Sequence, residues 1–161
     1  MIDWFSKKSC LAMAGVMVVG AALVPGISAA AAPTPAELAI GYRQALYTVL
    51  DGNFEYLGGV VKGRVPFKSD EVVKRAERLA YLATMIGDAF PEVSKSGHTD
   101  AKPEIWTHRA EFDKKVLALV TESAALVTEL KKDSSNSAAF KKAFGAVGQA
   151  CKSCHDDYKK E

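Results

Sequence analysis

Five consecutive residues near the C-terminus carry the most specific chemistry in the chain: Cys151-Lys152-Ser153-Cys154-His155. Cys-x-x-Cys-His is the attachment pattern of a c-type haem. On a helix, thiols three positions apart lie on neighbouring positions of one face, so both can form thioethers with the two vinyl-derived positions of one haem. The adjacent histidine then turns its imidazole to the iron as proximal ligand. Two other chemistries use Cys-x-x-Cys. A thioredoxin-like redox pair needs a βαβ setting, which the sequence lacks. Half of a zinc site needs two further ligands, and only His98 and His108 remain, at no recognisable ligand spacing. Those two histidines are expected to be solvated or structural. The motif therefore predicts one haem c, held by Cys151 and Cys154, with His155 on its iron.

Its position sharpens the prediction. Only six residues follow His155, and none of them is a methionine. Most small cytochromes c carry the motif near the start and supply a methionine ligand downstream. Here Met85 is the one methionine after residue 17, and a lone methionine at helical spacing reads as core filler. The iron is left with one strong protein ligand and an open distal face.

The elements that position the motif read as four amphipathic helices. Thr34-Pro35-Ala36-Glu37 is a helix start, with an N-cap hydroxyl, proline in the first turn and glutamate three residues after the cap. Leu38, Tyr42, Leu46, Leu50, Phe54 and Leu57 follow at helical spacing, and Pro66 stops the segment. A second segment runs from Ser69 to Phe90, before Pro91. Residues 92–102 are polar and aperiodic and read as a loop. A third segment opens at Pro103 and carries Ile105, Phe112, Leu119, Leu126 and Leu130 on one face. After the turn at Asp133 to Asn136, Phe140, Phe144, Val147, Cys151, His155 and Tyr158 recur at steps of three or four. The expected fold is all-α, an antiparallel up-down-up-down four-helix bundle over residues 32–161.

Residues 1–31 read differently. Lys7 and Lys8 precede an apolar stretch from Cys10 to Ile27, and the small residues Ser28 to Ala32 follow. This is the pattern of a secretory signal peptide, with cleavage near residue 30 or 31. Cys10 lies before the apolar stretch and is expected to leave with the leader. Its loss removes Lys7, Lys8 and Asp3, leaving 19 basic against 18 acidic residues in about 130. A chain so near neutral, with no long basic run, is not built for nucleic acid. Once the leader is gone nothing anchors it to a membrane, so a periplasmic location follows, where c-type haem is attached.

Beyond the haem motif, the sequence resembles the cytochrome c′ family over essentially the whole mature chain. The resemblance is carried by Tyr42-Arg43-Gln44, by Val61-Lys62-Gly63 with Pro66, by Asp100-Ala101-Lys102-Pro103-Glu104-Ile105-Trp106, and by Phe144-Gly145-x-Val147-Gly148 leading into the motif. It implies a five-coordinate, high-spin haem whose distal face is blocked by a first-helix residue, here Tyr47. It also implies that Arg43 and Gln44 contact haem propionates and that Asp100 lies at a haem edge. Lys159 falls where a basic proximal residue is usually Arg, and lysine lacks the planar fork of a guanidinium. Trp106 reads as packing. The pairs Lys114-Lys115 and Lys131-Lys132 read as solvated helix surface. The resemblance further implies a homodimer formed through the first two helices.

Two functions are consistent with these residues: electron transfer with a periplasmic redox partner, and capture of small diatomic gases, nitric oxide and carbon monoxide, with a dedicated nitric oxide sink as the alternative. A catalytic role lacks support, because no acid–base pair accompanies Tyr47 on the first segment.

Overall fold

Thr34 starts the first helix through a reciprocal cap. Its Oγ1 accepts the Glu37 amide at 3.2 Å, and Glu37 Oε2 accepts the Thr34 amide at 2.7 Å. With Pro35 in the first turn, this satisfies donors that a helix N-terminus otherwise leaves unpaired. Thr34→Ala is expected to lower stability by about 1 kcal/mol, read as a drop in the thermal midpoint. An unchanged midpoint would contradict this role of the cap.

The computed structural model describes residues 31–160. The leader expected at residues 1–31 lies, but for Ala31, outside the described residues, as does Cys10. Ala32–Glu161 forms one compact unit. Its helices are α1 (Pro35–Val61), α2 (Ser69–Thr84), α3 (Glu104–Thr107), α4 (Arg109–Lys132) and α5 (Ala138–Tyr158). Four long helices make the bundle; α3 is a single turn leading into α4. Among the described residues the one β feature is an isolated antiparallel bridge between Ala101 and Lys159. No helix there is long and apolar enough to cross a membrane.

Two boundaries differ from the periodicity. The second segment was expected to run to Phe90, but α2 ends at Thr84 and a 3-10 turn covers Gly87–Ala89. The carbonyls freed there are taken by side chains from elsewhere. Gly87 accepts Arg109 Nη2 at 2.9 Å, Ala89 accepts Arg43 Nη1 at 3.1 Å, and Phe90 accepts Trp106 Nε1 at 3.1 Å. The third segment was expected to be continuous from Pro103, but His108 (φ −120°, ψ 47°) breaks it. The separate turn buries Ile105 and Trp106 side by side and lets the indole reach Phe90, while Phe112 begins the core face of α4. Tertiary hydrogen bonds outweigh the helical pattern at both places.

α4 packs along both α5 and α2, and α1 along α2. α1 meets α5 through two reciprocal pairs. A Cβ on Gly58 would lie 3.4 Å from the Phe144 ring, and one on Gly148 would lie 3.4 Å from the Phe54 ring. The two rings stack between them at 4.6 Å. Each glycine thus makes room for the aromatic residue of the other helix. Gly148→Val would push Phe54 aside and is expected to cost about 1–3 kcal/mol by overpacking; a chemical melt within error of the parent would contradict this interlock.

Candidate functional site

Beyond the Phe54–Phe144 stack a cavity of about 750 Å³ opens, within the range of ligand sites. The α5 wall presents Cys151, Cys154 and His155, with Lys152 and Lys159 beside them. The spacing of the motif does this directly, because Phe144, Val147 and Tyr158 of the same helix are buried and fix its rotation. The α1 wall presents Arg43, Gln44, Tyr47, Leu50 and Phe54. Phe112, Val116 and Leu119 of α4 add apolar surface, and Phe112 packs edge-on to both Phe90 (4.9 Å) and Tyr158 (5.3 Å). Asp100 and Thr99 lie at the rim, on the connection between α2 and α3.

All eight residues singled out in the sequence, Arg43, Gln44, Tyr47, Asp100, Cys151, Cys154, His155 and Lys159, line this one cavity. Their environments differ. Gln44, Asp100, His155 and Lys159 are exposed, whereas Arg43 is 4% exposed. Its guanidinium sits 4.5 Å over the Phe90 ring and donates to Ala89, Ser94 and Thr99. Arg43 is therefore tied into the α2–α3 connection as well as facing the cavity. Met85 packs against the core as expected and is not part of the cavity wall; His98 and His108 are exposed and also lie away from it. Trp106 is buried with its indole N–H paired, a packing residue.

Both thiols have raised pKa values. Burial pushes the Cys154 thiol up to about 11, against the opposing pull of Lys115, and burial raises Cys151 as well. Reactive dithiols depend instead on a lowered thiol pKa. Among the described residues no three His, Cys, Asp or Glu side chains converge as a metal site. Burial holds the Tyr47 phenol far above its usual range, so it stays protonated. Burial, followed by the nearby Lys159 charge, pulls the His155 imidazole down and favours its neutral, ligating form.

One sequence reading needs correction. Lys115 is not simply solvated: its Nζ donates to the Ser153 carbonyl (3.0 Å) and hydroxyl (2.8 Å) and pairs with Asp157 at 2.6 Å. It binds α4 to the motif helix. Lys114, by contrast, is exposed, and Lys131 makes an exposed pair with Glu77. Thr99 and Ser94 were also missed. They lie in an aperiodic polar stretch, where no pattern distinguishes a buried hydroxyl from a solvated one.

A concave, largely apolar chamber with two thiols and an imidazole on one helix, and charged groups at its mouth, is what a covalently held porphyrin requires. The comparisons agree. A family model described as Cytochrome C' matches residues 38–159. The cytochrome c′ of Alcaligenes xylosoxydans xylosoxydans is 34% identical over 125 residues, covering 78% of this chain and 95% of that protein. The solved cytochrome c prime of Shewanella frigidimarina aligns with a TM-score of 0.74 at 36% identity, over 81% of this chain and 100% of its own. A ferrous variant of the Alcaligenes xylosoxidans cytochrome c prime with bound NO aligns at 0.73 and 32% identity, over 81% and 99%. The chain belongs to the cytochrome c′ family. Membership implies a haem c, and the donors on the cavity wall fit one.

Proposed function

We propose that this chain is a periplasmic cytochrome with one covalent, five-coordinate, high-spin haem, which transfers electrons and binds nitric oxide and carbon monoxide at its distal face. The observation that carries the reading is the asymmetry of the cavity: its one imidazole, His155, is on α5, and the α1 wall, where Thr48, Asp51 and Glu55 accompany Arg43, Gln44, Tyr47, Leu50 and Phe54, carries no histidine, methionine or cysteine. When bound, the haem supplies a redox-active iron with one coordination position not filled by the protein.

Cys151 and Cys154 would hold the haem's edge through thioethers, and His155 would present its neutral imidazole. Tyr47, protonated and bulky, is a poor ligand and a barrier to water and anions, while a small neutral diatomic can pass it. Arg43 and Gln44, one turn earlier on α1, would receive the propionates, and the guanidinium suits paired, charge-assisted hydrogen bonds. Asp100 and Lys159 would border the exposed edge, where a redox partner docks. The leader pattern at residues 1–31 supports export to the periplasm.

Exposed apolar side chains support self-association. Leu38, Tyr42 and Val49 lie along α1 at 60%, 47% and 54% exposure, and Tyr81 on α2 at 70%. A second copy covering this surface would form the homodimer through α1 and α2.

The nitric oxide reading is favoured by the relative solved as a ferrous NO complex. Anaerobic titration of the ferrous protein with nitric oxide, beside stopped-flow oxidation by a small redox mediator, tests the proposal. Stoichiometric nitric oxide binding together with fast reversible oxidation is expected. Failure to bind nitric oxide would overturn the gas-binding half.

A further inference from the structure

A continuous path of hydrogen bonds joins the two walls of the cavity through one residue that no sequence pattern marked. On the α1 side, Arg43 Nη2 donates to Thr99 Oγ1 at 2.8 Å, while Nη1 donates to Ser94 Oγ at 3.0 Å. Ser94 is fully buried, and its own hydroxyl donates to the Pro91 carbonyl at 2.8 Å, which aims its oxygen back at Arg43. Thr99 Oγ1 also accepts the Ala101 amide at 3.1 Å, and its carbonyl accepts Lys160 Nζ at 3.0 Å. On the α5 side, Lys102 N–H donates to the Tyr158 carbonyl (2.9 Å) and Lys160 N–H to the Asp100 carbonyl (2.8 Å), forming the Ala101–Lys159 bridge. The Lys159 amide in turn donates to the His155 carbonyl at 3.0 Å.

We propose that Thr99 is a positioning residue for the haem crevice: its hydroxyl and carbonyl tie Arg43, one turn before Tyr47, to the segment that closes the His155 turn. The Phe54–Phe144 interlock fixes the distance between α1 and α5 on one side of the cavity, and the Thr99 tie fixes it at the mouth. The hydroxyl is essential because it accepts two donors at once, one of them charged. Valine has the same shape but leaves both donors unmet. The consequence for gas entry rests on the function proposed above; the tie itself does not.

Thr99→Val is therefore expected to raise hydrogen exchange at the Lys102 and Lys160 amides about tenfold, the equivalent of one lost hydrogen bond to a charged group. Carbon monoxide should bind the ferrous variant several-fold faster as the mouth loosens. Thr99→Ser, which keeps the hydroxyl, should restore both. Combining Thr99→Val with Arg43→Lys should cost less than the sum of the two single effects, because both break the Arg43–Thr99 link. Thr99→Ala removes the hydroxyl without apolar bulk and gives the same reading where the valine variant does not fold.

Wild-type exchange and wild-type gas kinetics in Thr99→Val or Thr99→Ala would overturn the proposal, as would a serine variant as altered as the valine one. Haem content of the wild type, by pyridine haemochrome absorption, tests the functional reading separately. A haem-free wild type would sink that reading, and amide exchange would then decide the tie by itself.

Discussion

With Cys151 and Cys154 both replaced by alanine, the protein is expected to lose all covalent haem. Acid-acetone extraction should then strip the colour from the chain, while the parent keeps it. The structure puts both thiols on one wall of one cavity, three residues apart on one helix face, with His155 beside them. Neither has a disulfide partner, and burial keeps both protonated in the folded chain. No other cysteine lies in the described residues, so no alternative thioether can form there. The loss extends to stability, because a group that binds only the folded state stabilises it. A double variant whose haem resists extraction would contradict the assignment of both cysteines.

Tyr47→Ala is expected to speed carbon monoxide binding to the ferrous protein at least tenfold, about 1.4 kcal/mol of entry barrier. Tyr47 is the largest α1 side chain in the cavity. It is half-buried and packs against the core, and burial raises the pKa of its phenol. Removing the ring opens that wall without touching the thiols or His155. Flash-photolysis rebinding reads the effect directly, and Tyr47→Phe separates bulk from hydroxyl: the phenylalanine variant should stay near the parent rate. Unchanged kinetics in Tyr47→Ala would remove this residue from the path of the ligand.

Much of this site was legible in the sequence because helical spacing is a strong signal. A motif with a fixed spacing on a helix whose Phe144, Val147 and Tyr158 face the core can point only one way. The resemblance to the cytochrome c′ family, rather than the spacing, singled out Arg43, Gln44 and Tyr47 on α1, and a single cavity contains them all. What the pattern could not show is what the backbone does where tertiary contacts compete. α2 stops at Thr84 because Arg43, Arg109 and Trp106 claim the carbonyls beyond it. His108 breaks the third segment so that Ile105 and Trp106 can both be buried.

Side-chain partners drawn from distant segments were equally hidden. Lys115 looks like half of a surface pair until α5 brings Ser153 and Asp157 to it. Thr99 sits in a stretch with no period at all. Gly58 and Gly148 each look like a weak point in a helix, yet each admits the aromatic side chain that the other helix supplies. Periodicity records which face is buried; it carries no record of who is on the other side.

The central claim is that His155 is the one strong protein ligand, with the opposite face closed by bulk rather than by a bond. Resonance Raman spectroscopy of the ferric protein at neutral pH tests it most directly. The marker bands of a five-coordinate, high-spin haem are expected. A purely low-spin, six-coordinate spectrum would contradict it.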